Sequence, residues 1–272
     1  MAASVAMAAI FALFAWWFST GMILLVVRRA DRAGGHAHRT AVLAGLPLVV
    51  IGSFGAAMSA GDDSATAAYV GFVSALAIWG WIELSFLTGA ITGPSHATCP
   101  PTARGVDRAF RAWNAVAHHE IALLAGLMVV MVASHGEMTV ALQTYLILLA
   151  ARISAKLNLF LGVPRINLEF VPLPLDHLKR YFRQGPVTAA FPVAIAGLSV
   201  LLIYLVRRVT DTTDAAEATG AVLLATLATL ALIEHLLMVL PLPDAKLWRW
   251  MLPAPAAPSR TLPRSPMTPN ES

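Results

Sequence analysis

The sequence predicts an all-α polytopic membrane protein, a bundle of about seven transmembrane helices. The chain of 272 residues is 58% hydrophobic and only 12% charged, whereas soluble domains carry about 25% charged residues. Its mean hydropathy is +0.70, and several apolar runs reach the roughly 20 residues that cross a bilayer as a helix. We therefore expect one membrane bundle over residues 1–252 and a Pro-rich, disordered cytoplasmic tail over residues 253–272.

Seven apolar segments are long enough to be transmembrane spans. A further segment at residues 173–183 mixes apolar and aromatic side chains with Lys and Arg. This mixture predicts a short amphipathic helix in the lipid headgroup layer. The spans are expected at about residues 5–27, 40–60, 67–91, 113–133, 138–161, 187–206 and 218–240.

The basic residues indicate how the chain is oriented. Of the 19 Lys and Arg residues, only Arg207 and Arg208 fall on one side of the predicted membrane. The positive-inside rule then places the N-terminus outside and the C-terminus in the cytoplasm. No Lys or Arg precedes the first apolar segment, so we expect an uncleaved anchor instead of a cleaved signal peptide. Topology also explains the net charge of +4, so nucleic acid is not an expected partner.

Ionisable side chains interrupt four of the spans at a similar depth. A rise of about 1.5 Å per residue puts each of them roughly 21–24 Å from the outer end of its span. A charge near the centre of a membrane helix costs at least about 2.5–3.5 kcal/mol, so such groups face the protein and pair. We expect one functional polar cluster that comprises Glu83, His119, Glu120, Arg152, Lys156, Asn158, Glu234 and His235.

Three interpretations of this cluster are open. It is a structural ion-pair network, a ligand site, or a proton path or catalytic centre. Imidazole and carboxylate side chains can bind a divalent metal, and a neutral histidine can be the axial ligand of a (bacterio)chlorophyll magnesium or a haem iron. The spans hold no Glu-x-x-His or His-x-x-x-His motif, so the sequence gives no support for a di-iron or zinc-hydrolase site. Which metal binds, if any, is therefore undetermined.

Several motifs in one order resemble a known family. They are Trp81-x-Glu83-x-Ser85-Phe86-Leu87-Thr88-Gly89-x-Ile91-Thr92-Gly93-Pro94, Cys99-Pro100, His119-Glu120, Arg152-x-Ser154-Ala155-Lys156-Leu157-Asn158-x-Phe160-Leu161-Gly162-Val163, Glu169-Phe170-x-Pro172 and Tyr181-Phe182. This set, within about residues 80–192, resembles the PuhE-type photosynthetic-complex assembly proteins of purple bacteria. His118 departs from the family pattern, where a tyrosine is expected. The first two spans and the tail match only in hydropathy.

The resemblance implies a non-enzymatic integral-membrane factor for assembly of the photosynthetic reaction centre and its core antenna, with an influence on bacteriochlorophyll supply. It implies reaction-centre and core-antenna subunits, or other assembly factors, as partners beside membrane lipid. The implied location is the bacterial inner membrane, cytoplasmic or intracytoplasmic. The alternatives are a membrane enzyme, a pigment- or metal-binding carrier that uses the buried Glu/His/Arg cluster, and a small transporter. A transporter would show repeats or broken helices, and neither is evident.

His119 is the candidate ligand for a pigment cofactor. The small residues Ala115, Ala117 and Ala122 lie near it in the sequence and could leave room for a flat macrocycle. A neutral imidazole could then ligate the magnesium of bacteriochlorophyll or a precursor. The competing hypothesis makes His119 a hydrogen-bond partner of a buried carboxylate.

Overall fold

The computed structural model describes residues 2–168 and 171–241, and these residues form helices and connecting loops without a β-strand. All seven α-helices are long and apolar enough to cross a membrane, which confirms the predicted number of spans. The helices are α1 (Ala2–Ala33), α2 (Ala37–Ser59), α3 (Ala65–Leu87), α4 (Gly105–Ala133), α5 (Val140–Leu161), α6 (Ala190–Asp211) and α7 (Ala215–Leu237), with a 3₁₀ helix at Leu173–Tyr181 between α5 and α6.

Capping residues fix the starts of three helices at the end of the bundle that the charge distribution places outside. Ser64 accepts a hydrogen bond from the Ala67 backbone N–H at the start of α3. Thr139 and Asp214 cap α5 and α7 in the same way. Such side-chain oxygens satisfy backbone N–H groups that the first helical turn leaves free. The starts predicted from hydropathy, at residues 67, 138 and 218, lie within three residues of the observed ones.

The connection between α3 and α4 differs from the prediction. Helix α3 ends at Leu87, four residues early, and Gly89 has a positive φ of 77° that suits glycine. Helix α4 begins at Gly105, eight residues early. Its first turns are polar, and Arg111 donates to the Asp107 carboxylate at 2.9 Å, an i,i+4 pair that stabilises a helix in water. Hydropathy alone does not detect a helix that continues past the membrane.

Helix α3 is the centre of the bundle, in contact with α1, α2, α4, α5 and α7. In its most apolar stretch 67% of the residues are buried, against 11% for both α2 and α6. Small residues allow the close packing: a Cβ atom at Gly52 of α2 would lie 2.8 Å from the Ser74 carbonyl oxygen of α3. Approach through small residues is typical of membrane bundles. The polar groups of α3 are therefore surrounded by protein.

The segment predicted as an interfacial amphipathic helix is a 3₁₀ helix that packs against the bundle. Its apolar side chains Leu175, Leu178 and Tyr181 are buried in a cluster with Phe86 of α3 and Ala115 of α4. The apolar face that the sequence predicted to contact lipid head groups is therefore covered by protein, and the depth of the segment in the membrane stays a prediction. The α3–α4 connection and the inner ends of α3 and α4 present an apolar surface. The apolar face of the 3₁₀ helix packs on this surface.

Arg108 connects this 3₁₀ helix to the bundle through hydrogen bonds. Its guanidinium donates to the backbone carbonyls of Phe160 and Tyr181, both at 2.8 Å, and it stacks over the Phe160 ring at 4.0 Å. We call the 3₁₀ helix, together with the ends of α3, α4 and α5 that it covers, the inner cap. Within the inner cap, burial lowers the pKa of His177, and the neighbouring His96 lowers it further. His177 is thus held in its neutral form.

Parts of the prediction lie outside the described residues. These are the domain boundary at residue 252, the tail at residues 253–272, and the motif residues Glu169 and Phe170. The orientation of the bundle in the membrane also remains a prediction from the distribution of Lys and Arg.

A reporter fused after residue 252 should behave as cytoplasmic, and one inserted between Asp62 and Asp63 as periplasmic, because the basic loops stay in the cytoplasm. Fusions to alkaline phosphatase and to a fluorescent protein measure the two locations. An insertion between Gly34 and Gly35, in the basic loop that follows α1, is the matched control and should behave as cytoplasmic. Alkaline phosphatase activity from the C-terminal fusion would mean that the bundle is reversed.

Candidate functional site

Two ion pairs join α5 to its neighbours inside the bundle. Arg152 donates from Nη2 to Glu83 Oε2 on α3 at 2.9 Å. Lys156, one turn later on α5, donates to Glu120 Oε1 on α4 at 2.5 Å. The two carboxylate side chains are only 12% and 14% exposed. The structure thus brings together the two cations and two of the three carboxylates that the sequence predicts to pair, and their formal charges cancel.

His119 connects the two pairs. The Lys156 ammonium lies 2.9 Å from His119 Nδ1, and because an ammonium can only donate, Nδ1 accepts and the imidazole proton is on Nε2. That N–H faces Glu83 Oε1, with Nε2 and Oε1 3.6 Å apart. The polar chain therefore runs from Arg152 through Glu83, His119 and Lys156 to Glu120. We call these five residues the polar network.

The His119 ring is enclosed by protein. Its side chain is 0% exposed, and the Phe86 ring stacks on it with the centroids 4.1 Å apart. Ala115, one of the small residues expected to leave room for a macrocycle, is packed in the inner cap. This geometry favours the hypothesis that His119 is a hydrogen-bond partner of buried charges over the hypothesis that it ligates a pigment. His118, its neighbour, is exposed.

Backbone contacts from the α3–α4 connection hold His119 in place. The His119 N–H donates to the Thr92 carbonyl at 2.9 Å, and the Ser95 N–H donates to the Asn114 carbonyl at 3.2 Å. Gly93 allows this approach, because a Cβ atom there would overlap the Asn114 carbonyl oxygen. Irregular backbone at this depth is tolerated where protein buries it. Sequence reasoning did not assign Thr92 or Gly93 to the site, although the Thr92-Gly93-Pro94 sequence marks a non-helical turn.

Asn158 and His235 form a second polar group, separate from the network. The His235 Nδ1 lies 2.8 Å from the Ala231 carbonyl oxygen, and its Nε2 lies 2.7 Å from Ser154 Oγ. The Ser154 hydroxyl also lies 3.0 Å from the Ala151 carbonyl oxygen of its own helix. Asn158 donates to the Ser154 carbonyl at 2.9 Å. His235 and Asn158 are both 0% exposed. The expectation of one cluster was therefore wrong, because these residues join α5 to α7 through Ser154, which the sequence analysis did not select.

Glu234 is outside both groups. It makes no ion pair or hydrogen bond with a residue of ranges 2–168 and 171–241. Its side chain is exposed and lies on the wall of a partly open pocket of about 250 Å³ between α1, α3, α5 and α7, which Glu83 and Arg152 also line. The predicted pairing of Glu234 with the cluster is therefore reduced to an electrostatic attraction by Arg152 across this pocket, without a hydrogen bond.

The polar side chains do not form a metal site in the described part of the chain. There, no group of three or more His, Cys, Asp or Glu side chains is placed to hold a metal ion. The polar network can do two things chemically. It neutralises charge inside the membrane bundle, and it offers a route for a proton between Glu83 and His119, whose facing atoms have no hydrogen-bond partner within the described residues.

Comparison with known proteins gives one family and one curated relative. The model of a family described as a protein of unknown function, DUF3623, matches residues 2–259. A protein of Rhodobacter capsulatus is 46% identical over 251 residues, which are 92% of each chain. It is described as an uncharacterized 30.4 kDa protein in the puhA 5′ region. No solved structure matches the chain.

Glu83→Gln or Arg152→Met alone should destabilise the protein by about 3–5 kcal/mol, because each leaves a buried charge without its partner. The midpoint of thermal unfolding in detergent and the amount of protein in membranes measure the effect. The double variant should be less destabilised than the sum of the two, since the partners interact directly. Asp107→Asn is the control and should change the midpoint little, because Asp107 pairs with Arg111 in solvent. Additive effects would refute the pairing.

Gly93→Ala should lower the amount of folded protein, with a cost of about 1–3 kcal/mol or more from overpacking. The added methyl group would displace the turn from α4 and remove the support of His119. Gly197→Ala on α6 is the matched control, since nothing lies within 4 Å of a Cβ atom there, and it should accumulate as the wild type does. Equal unfolding midpoints for both variants would show that the turn does not need this contact.

Proposed function

We propose that this chain, which belongs to the DUF3623 family, is a non-enzymatic membrane factor for assembly of the bacterial photosynthetic reaction centre and its core antenna. The observation that carries the proposal is the Rhodobacter capsulatus relative, 46% identical along nearly its whole length. That relative is named for its place beside puhA, in a photosynthesis gene cluster. Neighbouring bacterial genes commonly serve one process, and the family resemblance of residues 80–192 supports the same role.

The geometry supports a role at the surface of the bundle. The charges of the polar network neutralise one another, and the His119 ring is enclosed by Lys156, Glu83 and Phe86. By contrast, α2 and α6 have only 11% of their most apolar stretches buried. These helices offer membrane-facing surfaces on which the transmembrane helices of reaction-centre and core-antenna subunits, or of other assembly factors, can pack by close contact. The location that goes with this role is the inner or intracytoplasmic membrane.

A second candidate function is a carrier or enzyme that uses the partly open pocket between α1, α3, α5 and α7. The observation in its favour is that Glu83, Arg152 and Glu234 line one space of about 250 Å³. Intramembrane ionisable groups at a cavity mark substrate or proton paths in many membrane proteins. Under this alternative, variants of Glu234 would stop function without lowering the amount of protein.

Deletion of the gene should slow phototrophic growth and reduce the absorbance of the reaction centre and core antenna, while respiratory growth in the dark stays normal. An assembly factor is needed only when those complexes are made. Absorption spectra of membranes and growth rates under both conditions measure this. Complementation with the wild-type gene is the positive control. A deletion strain with wild-type photosynthetic absorbance would refute the assembly role.

Complementation with Glu234→Gln separates the two candidate functions. The assembly role predicts restored absorbance, because Glu234 is outside the polar network. The carrier or enzyme alternative predicts no restoration although the variant accumulates in the membrane.

A further inference from the structure

A membrane-facing groove lies between α1 and α7 at the end of the bundle that carries the inner cap. Its volume is about 800 Å³ and its lining is mostly apolar. Along α1 it extends from Ile10 to Leu24, about 21 Å at 1.5 Å per residue. That is somewhat more than one leaflet, since a whole hydrocarbon core is about 30 Å thick. We call it the inner groove.

Two charged side chains stand at the inner end of this apolar groove. Arg165 and Glu234 both line it. Neither makes a side-chain hydrogen bond or ion pair with another residue among 2–168 and 171–241. The Arg165 backbone N–H donates to the Met238 carbonyl at 3.0 Å, so Arg165 is fixed to the end of α7, one helical turn beyond Glu234. The groove therefore presents a cation at the interface and a carboxylate slightly deeper.

Glu234 has no hydrogen-bond donor of its own within the described residues, because Arg152, which attracts it electrostatically, is hydrogen-bonded to Glu83. The polar network balances two cations with Glu83 and Glu120, so Glu234 is an additional carboxylate at the edge of the same region. A carboxylate in an apolar site is costly unless it is hydrogen-bonded. A ligand that donates a hydrogen bond at this position would remove that cost.

From these observations we propose that the inner groove binds a phospholipid whose head group carries both a phosphate and a hydrogen-bond donor. Arg165 pairs with the phosphate, as a guanidinium does in charge-assisted hydrogen bonds. Glu234 accepts from the donor, which is a hydroxyl group in phosphatidylglycerol and an ammonium group in phosphatidylethanolamine. The acyl chain lies along α1, against residues such as Leu13 and Phe14. This proposal does not depend on the assembly role.

The polar end of the inner groove favours a lipid over an apolar partner helix. A phospholipid has apolar chains and ends in a polar head, and the groove is apolar along α1 and carries Arg165 and Glu234 at its inner end.

Titration of the delipidated full-length protein with three lipids of identical acyl chains, followed by native mass spectrometry, tests the proposal. Phosphatidylglycerol and phosphatidylethanolamine should bind about tenfold more tightly than phosphatidylcholine, which has a phosphate but no donor in its head group. Equal affinity for the three lipids would overturn the proposal, because it would indicate only a non-specific lipid annulus.

Variants of Arg165 and Glu234 test the two proposed contacts with the lipid head group. Arg165→Gln should weaken binding of all three lipids about tenfold, whereas Arg165→Lys keeps the charge and most of the affinity. Arg180→Gln, an exposed basic residue of the 3₁₀ helix that does not line the groove, should have no effect. Glu234→Leu should abolish the preference over phosphatidylcholine, and Glu234→Gln, which still accepts a hydrogen bond, should retain it. Unchanged binding by Arg165→Gln would overturn the proposal.

A photoreactive residue in place of Leu13 identifies the occupant in membranes. Illumination of the full chain should give adducts with the mass of a phospholipid. Adducts to residues 242–272 of the same chain, or to a second copy, in place of lipid adducts would show that protein fills the groove and would overturn the proposal.

Discussion

A charge inside a bilayer must find its partner within the protein, and the arrangement of this bundle follows from that constraint. Arg152 and Lys156 lie one turn apart on α5, so one face of that helix requires anions on its neighbours. Glu83 on α3 and Glu120 on α4 supply them. The three helices are therefore held at one relative depth and rotation. Apolar contacts alone do not impose this, because lipid tails are as apolar as leucine side chains.

The polar network and the inner cap are continuous through Phe86. Its ring stacks on His119 and also packs in the apolar cluster of the inner cap with Leu178 and Tyr181. The Thr92 carbonyl holds the His119 backbone from a third direction. Displacing the α3–α4 connection would thus disturb the ion pairs, and losing an ion pair would loosen the inner cap. These motifs are distant in the sequence, but in the structure each one depends on contacts with the others.

The sequence predicted what depends on local hydropathy and depth, and it missed what depends on rotation about a helix axis. The seven spans and the meeting of Glu83, Glu120, Arg152 and Lys156 followed from apolar length and from counting residues. Depth also placed Glu234 and His235 together, but adjacent residues point about 100° apart on a helix. His235 therefore faces α5 through Ser154, while Glu234 faces the inner groove. Tertiary packing decides that rotation, and a single sequence does not contain it.

The polar residues are divided between the interior and the perimeter of the bundle, and only those at the perimeter can act on other molecules. Charges that neutralise one another hold the bundle together, and His119, enclosed among them, is part of that support. Glu234 is different, because it faces outward where lipid or a partner can reach it. The exposed faces of α2 and α6 lie at the bilayer as well. A factor that acts in assembly needs a rigid interior and an accessible perimeter, and under the proposed function this bundle divides its polar residues between those two tasks.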